Sequence, residues 1–120
     1  MRISMIKKIL IVDDEPHILN SMKELLELED KEVQIAENGK VALELIGKEK
    51  FDLIISDAKM PQMNGQELLA EVRRDDTKVK FIILTGESEF SQEKLKSIGA
   101  DAVFYKPLDF DILVETIGTF

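Results

Sequence analysis

The sequence predicts an α/β fold in which helices cover both faces of a parallel β-sheet. Four short apolar runs recur along the chain, each rich in β-branched or aromatic residues and too short for a helix. Segments with the apolar spacing of helices lie between the runs, so strand and helix alternate five times with short connections. Uninterrupted apolar runs are typical of strands that are buried on both faces, as in a parallel sheet.

The strand candidates differ in their patterning. In the segment 32–36, Val33 and Ile35 point to one side and Glu32 and Gln34 to the other, which favours an edge strand. The four continuous runs are Ile9–Val12, Leu53–Ile55, Phe81–Leu84 and Val103–Tyr105.

Each helix candidate has an apolar stripe, and two have a clear boundary residue. Pro16 opens the first helix at a position where its missing N–H is harmless. Gly99 is placed to end the fourth. The stripes are Ile18, Met22, Leu25 and Leu26; Val41, Ala42, Leu45 and Ile46; Leu68, Leu69 and Val72; Leu95 and Ile98; and Phe110, Leu113, Val114 and Ile117.

Length and composition restrict the function. We expect residues 1–120 to form one domain, because the chain is long enough for a single core. The net charge of −8 disfavours contact with nucleic acid and favours a cation as partner. The absence of cysteine excludes disulfides, thiolate zinc sites and cysteine nucleophiles. No apolar run suits a membrane span or a signal peptide, so we expect a cytoplasmic protein without a membrane partner.

Polar side chains follow four of the predicted strands. In an open parallel sheet, functional groups gather at the carboxyl ends of the strands. Carboxylates brought together there repel one another unless a cation lies among them. Oxygen ligands without His or Cys favour a hard ion, and a site with few carboxylates suits Mg²⁺ better than Ca²⁺. The strand-end residues are Asp13, Asp14 and Glu15; Ser56 and Asp57; Thr85 and Gly86; and Lys106 and Pro107.

These residues indicate phosphoryl transfer to an aspartate. An aspartate beside Mg²⁺ is a competent nucleophile toward phosphorus and would form an aspartyl phosphate. The ion, the Thr85 hydroxyl and the Lys106 ammonium would each stabilise charge on a phosphoryl oxygen. A simpler interpretation, with helix-capping acids and a surface lysine, would suit Asp14 or Asp57 alone. It does not explain four polar strand ends together.

From about Lys7 to Ile117, the chain resembles the receiver domain of bacterial two-component response regulators. The matching segments are ILIVDDE, DLIISDAKMPQMNG, FIILTG and GADAVFYKP, in that order. The resemblance implies a flavodoxin-like, doubly wound αβα fold whose five parallel strands have the order 2-1-3-4-5, with five helices. It leaves open whether the chain is a stand-alone receiver or one excised from a longer response regulator or hybrid kinase.

The resemblance also implies roles for single residues. Asp57 would be the phosphoacceptor, charged by a histidine kinase, a phosphotransfer protein or a small phosphodonor. Asp14 would bind Mg²⁺ directly, Asp13 through water, and Lys59 through its backbone carbonyl. Thr85 would be the switch hydroxyl and Lys106 the ammonium that contacts the phosphoryl group. Met60, Pro61 and Gly65 would shape the loop after Asp57, and Pro107 would follow a cis peptide bond that aims Lys106 inward.

The chain departs from the family pattern at one position, and two other residues are candidates for tuning the lifetime of the phosphoryl group. Receivers commonly carry an aromatic residue three positions before the lysine, where this chain has Val103. Tyr105 shares the face of Val103 and is a candidate switch residue, although a packing role is the simpler interpretation. Lys59 and Glu87 would overhang the phosphoryl group, and we hypothesise that this pair slows hydrolysis; two solvated side chains are the alternative.

Several functions stay open on the sequence alone. The leading interpretation is a signalling module that phosphorylates and dephosphorylates itself without turning over an external substrate. One alternative is a degenerate receiver that acts as a constitutive docking module. Another is a Mg²⁺-dependent phosphatase of the haloacid dehalogenase type, although Lys59 stands where those enzymes usually carry a second acid. An unidentified output protein or domain is expected, and a phosphorylation-dependent homodimer would use a surface that includes Phe90, Lys94, Tyr105 and Phe110.

Overall fold

The strands and helices alternate along the chain as the sequence predicts. The computed structural model describes residues 5–86 and 91–120. The strands are β1 (Lys8–Val12), β2 (Glu32–Ala36), β3 (Leu53–Asp57), β4 (Lys80–Thr85) and β5 (Ala102–Tyr105). The helices are α1 (Pro16–Leu28), α2 (Gly39–Lys48), α3 (Gly65–Asp75), α4 (Gln92–Ser97) and α5 (Phe110–Thr119).

All strand pairs are parallel, and the sheet order is β2-β1-β3-β4-β5. This order confirms the flavodoxin-like fold. The register brings the carboxyl ends of neighbouring strands together: Val12 lies beside Ser56, and Asp57 lies beside Leu84. The segments that follow β1, β3, β4 and β5 therefore meet at one edge of the sheet.

Helices cover the two faces of the sheet and form a core on each. Helices α1 and α5 pack on one face, and α2, α3 and α4 pack on the other. All five residues of the central strand β3 are buried, because helices cover both of its sides. The fully buried strand residues are mainly Ile and Leu, as the continuous apolar runs predict.

One residue of the α1 stripe lies outside the core. The buried residues of α1 are Leu19, Met22 and Leu26. Leu25, predicted to join this stripe, is 40% exposed because it lies on the flank of the helix and not on its sheet-facing side.

Helix boundaries follow local hydrogen bonding and backbone geometry. Asn64 caps α3 by accepting from the Glu67 N–H, and Glu67 accepts from the Asn64 N–H in return. Asp30 ends α1 in the left-handed region, with φ 62. Gly99 has φ 118 just after α4, as predicted for a helix stop.

In the part of the chain that the structure describes, every helix is too short or too polar to cross a membrane.

Candidate functional site

Three carboxylates converge at the carboxyl edge of the sheet. Asp13 and Asp14 follow β1 directly, and Asp57 is the last residue of β3, which pairs with β1. Carboxylate oxygens of the three residues lie within 4.8 Å of one another. Asp13 is 2% exposed and Asp57 is 8% exposed, whereas Asp14 is open to solvent. The cluster thus has two buried members and one at its mouth.

Burial makes the charged form of Asp13 costly. Desolvation raises the pKa of Asp13 to about 6, and the nearby charges of Asp57 and Asp14 add to this effect. The Glu15 N–H donates to Asp13 Oδ1 at 2.9 Å and acts in the opposite direction, as does the Lys106 ammonium. A cation among the carboxylates would offset this cost, so the chemistry of the cluster suits a divalent ion with oxygen ligands.

Lys106 brings a positive charge to the same site. Its ammonium Nζ lies 3.2 Å from Asp57 Oδ1. The residue immediately follows β5, and its backbone N–H donates to the Thr85 carbonyl at 2.9 Å. The peptide bond between Lys106 and Pro107 is cis, as the resemblance implies. Thr85 itself ends β4 and is 1% exposed.

The loop after Asp57 packs tightly against α3. The Gly65 N–H donates to the Ala58 carbonyl at 2.9 Å. A Cβ on Gly65 would lie 2.5 Å from the Asp57 carbonyl oxygen, so only glycine allows α3 to begin so close to the Asp57 backbone. Lys59 is exposed and lies at the start of this loop, two residues after Asp57. The loop geometry is therefore coupled to the position of the Asp57 backbone.

Two hydrogen bonds at the site were not predicted, although Glu15 and Ser56 were among the strand-end residues. The Glu15 N–H binds Asp13, and as a backbone donor it leaves no signal in the residue type. The Ser56 hydroxyl is fully buried and donates to the Asp57 carbonyl at 2.9 Å. Its signal is a polar residue inside an otherwise apolar strand, next to the proposed phosphoacceptor.

The candidate switch residues lie along β5. Val103 is buried in the core under α4, and Phe104 packs on the opposite face of the sheet. Tyr105 is 48% exposed. The Gln92 side-chain amide donates to the Val103 carbonyl at 3.3 Å, which links α4 to β5. Glu87 lies outside the residues that the structure describes, as does Phe90.

Comparisons with known proteins agree with this fold. The response regulator receiver domain family matches residues 9–118. Sporulation initiation phosphotransferase F of Bacillus subtilis is 37% identical over 113 residues, which are 92% of this chain and 90% of that protein. The transcriptional regulatory protein GlrR of Escherichia coli is 34% identical over 110 residues, which are 91% of this chain but only 25% of GlrR.

Solved structures are similar over nearly the whole chain. The response regulator TrrA of Thermotoga maritima, in complex with Mg²⁺ and BeF, superimposes with a TM-score of 0.86 and 39% identity, covering 94% of this chain and 97% of that one. A CheY-like receiver domain protein of Methanospirillum hungatei has a TM-score of 0.89 and 38% identity, covering 95% and 92%. With its fold, its acidic cluster and these matches, the chain belongs to the response regulator receiver domain family, a family of two-component signalling domains.

Proposed function

We propose that Asp57 accepts a phosphoryl group from the phosphohistidine of a kinase or phosphotransfer protein. The observation that carries this proposal is the Lys106 ammonium, 3.2 Å from Asp57 Oδ1 and beside the three-carboxylate cluster. A carboxylate oxygen of Asp57 attacks phosphorus while the P–N bond to the donor histidine breaks. The electron pair of that bond stays on the imidazole nitrogen, which takes up a proton.

Mg²⁺ is the cofactor that the donor set fits. Asp13, Asp14, Asp57 and the backbone carbonyl of Lys59 would hold the ion. When bound, it would neutralise charge on the transferred phosphoryl oxygens. The raised pKa of Asp13 supports this proposal, because burial first and the charges of Asp57 and Asp14 second make the ionised carboxylate costly, and a bound cation would offset that cost.

The chain itself supplies the remaining stabilisation. Lys106 moves from the Asp57 carboxylate to a phosphoryl oxygen, and the Thr85 hydroxyl donates to a second one. Thr85 ends β4 and Lys106 immediately follows β5, and the Lys106 N–H donates to the Thr85 carbonyl at 2.9 Å. Phosphorylation of Asp57 therefore shifts the ends of both strands, and we propose that this shift alters partner binding. Water then hydrolyses the acyl phosphate and restores the free carboxylate.

A direct test is phosphorylation by acetyl phosphate with MgCl₂, followed by intact-mass spectrometry. One phosphoryl group should be added to the wild type and none to Asp57→Asn. Asp52→Asn is the matched control, since Asp52 accepts from the backbone N–H groups of Lys7 and Lys8 at the other end of β3. Unchanged phosphorylation of Asp57→Asn would refute the assignment.

A second experiment separates the switch from the two alternative functions. Beryllofluoride with Mg²⁺ should shift the NMR signals of Asp57 and, through β4 and β5, those of α4. A response confined to the carboxylate cluster would favour a constitutive docking module. Multiple turnovers of a phosphate monoester would favour a phosphatase.

Partners and location follow from the same proposal. We propose that output passes to another protein or domain, or to a homodimer that forms on phosphorylation through α4, β5 and α5. Lys94, Tyr105 and Phe110 lie on these elements. Sedimentation with and without beryllofluoride tests the dimer. Cell fractionation tests the proposed cytoplasmic location.

A further inference from the structure

An apolar surface lies on the flank of α1 and α5, away from the carboxylate cluster. We call it the α1–α5 patch and define it as Leu25, Leu28, Val114 and Gly118. Leu25 is 40% exposed and Leu28 is 78% exposed, and their spacing puts them on the same side of α1. Val114 and Gly118 are partly buried and lie one turn apart on α5.

A small cavity opens between the two helices at this patch. Its volume is about 160 Å³, and it could hold one large apolar side chain. The residues that line it are Leu26, Glu29, Lys31, Val114, Ile117 and Gly118. Leu25 lies one helical turn before Glu29, which lines the cavity, so Leu25 is near the mouth of the cavity, and Leu28 extends the apolar surface of α1 toward solvent.

Among residues 5–86 and 91–120, no contact requires glycine at position 118. No heavy atom of these residues lies within 4 Å of a Cβ built on Gly118, and its φ is outside the left-handed region. Glycine weakens a helix relative to alanine, so its presence here has a cost without an internal reason. Its effect on the surface is to let the backbone of another element approach α5 closely.

The surroundings of the patch are acidic. Glu24 and Glu29 flank the leucines on α1, and Asp111 precedes Val114 by one turn on α5. Helix α5 carries no Lys or Arg. The nearby Lys31 ammonium donates to the Ile6 carbonyl at 2.7 Å, so part of its hydrogen-bonding capacity is used inside the chain.

We propose that the α1–α5 patch binds a basic amphipathic helix of a partner protein. An apolar helix face would cover Leu25 and Leu28, one side chain would enter the cavity, and Lys or Arg would meet the acidic surroundings. A second copy of this chain would bring two acidic surfaces face to face, in a protein of net charge −8. An anionic membrane would be repelled in the same way.

The position of the patch leaves the phosphoacceptor accessible. Helix α1 starts beside the carboxylate cluster and has 13 residues, which span about 20 Å. Leu25 and Leu28 are near its far end. A partner bound there stays attached while a phosphodonor reaches Asp57, so this surface is a tether that works in both states of the switch.

Two labelled peptides of the same Leu and Lys composition test the proposal by fluorescence anisotropy at physiological salt. One has leucine at helical i, i+3, i+4, i+7 spacing, and the other is scrambled. The amphipathic peptide should bind at least about tenfold more tightly than the scrambled one. Equal binding of the two would overturn the proposal, because net charge alone would then explain the affinity.

Variants assign the binding to the patch. Leu28→Asp should weaken binding about tenfold, whereas Ile112→Asp, the same charge change at a 49% exposed site on α5, should change it less than about twofold. Gly118→Ala should also weaken binding while raising the thermal stability of the protein. Equal losses for Leu28→Asp and Ile112→Asp would overturn the proposal. So would a wild-type dimer in sedimentation that Leu28→Asp dissociates, since the occupant would then be a second copy.

Discussion

Replacing the buried Asp13 by asparagine should stabilise the metal-free protein at neutral pH. Desolvation first, and then the charges of Asp57 and Asp14, raise the pKa of Asp13 from 3.8 to about 6. Each unit of pKa difference between the folded and unfolded states is worth about 1.4 kcal/mol, so the ionised Asp13 costs up to about 3 kcal/mol of unfolding free energy. The amide removes this charge, and its Oδ1 can still accept from the Glu15 N–H.

The sign of the pH dependence makes the prediction specific. The folded state holds the Asp13 proton more tightly than the unfolded state does. The contribution of protonated Asp13 to the free energy of unfolding is therefore fully present below about pH 4 and is lost as the pH rises through about 6. Urea denaturation with EDTA should therefore show that Asp13→Asn gains up to about 3 kcal/mol over wild type at pH 8 and close to nothing at pH 4. Added Mg²⁺ should stabilise the wild type more than the variant.

Asp76 provides a control, because its pKa is shifted in the opposite direction to that of Asp13. The N–H groups of Lys78 and Val79 donate to its carboxylate and lower its pKa. Its contribution is present above the unfolded pKa and disappears as the pH falls, so Asp76→Asn should destabilise the protein at pH 8. A loss of stability in Asp13→Asn at pH 8, or a gain that is the same at pH 4, would refute the electrostatic reasoning.

Three further substitutions test packing and backbone geometry by urea denaturation. Gly65→Ala should cost about 1–3 kcal/mol and slow phosphorylation by acetyl phosphate, because its Cβ would meet the Asp57 carbonyl. Gly47→Ala is the neutral or stabilising control, since no atom of the described residues lies within 4 Å of its added Cβ. Asp30→Gly should add up to about 1 kcal/mol, since φ 62 strains an L-residue; no gain over Asp30→Ala would contradict this. Arg73→Lys should cost about 2–3 kcal/mol, because lysine cannot reproduce the hydrogen bonds of the guanidinium. Arg74→Lys, at an exposed position, is the control, and an equal cost for it would refute this explanation.

The alternation of strands and helices and the convergence of the site could be predicted because they depend on short-range patterns, whereas the sheet order was implied only by the family resemblance. Parallel strands bring their carboxyl ends to one edge, so the polar residues after the apolar runs had to lie near one another. The pair Asp13–Asp14 was predicted as metal-binding, but the sequence does not tell which of the two is buried. That difference depends on how the chain turns after β1, where Asp13 continues the strand and donates to the Ala36 carbonyl.

Other features depend on contacts between residues far apart in the chain. Arg73 donates to the Gly99 carbonyl and to Asp101, so it joins the end of α3 to the turn before β5. Neither partner is within a helical turn of Arg73, and no local pattern indicates the contact. Leu25 was misassigned for a related reason: apolar spacing defines a stripe on α1, but the neighbouring helix decides which edge of the stripe is covered.

The half-exposed Tyr105 makes this domain its own optical probe. The chain has one tyrosine and no tryptophan, so its tyrosine fluorescence, excited at wavelengths that phenylalanine does not absorb, comes from a single ring next to Lys106. That ring is 48% exposed at the end of β5, where a change in its solvent contact would alter emission and quenching by iodide or acrylamide. Stopped-flow fluorescence can therefore follow the response of β5 in the unlabelled wild-type protein, with Tyr105→Phe as the blank.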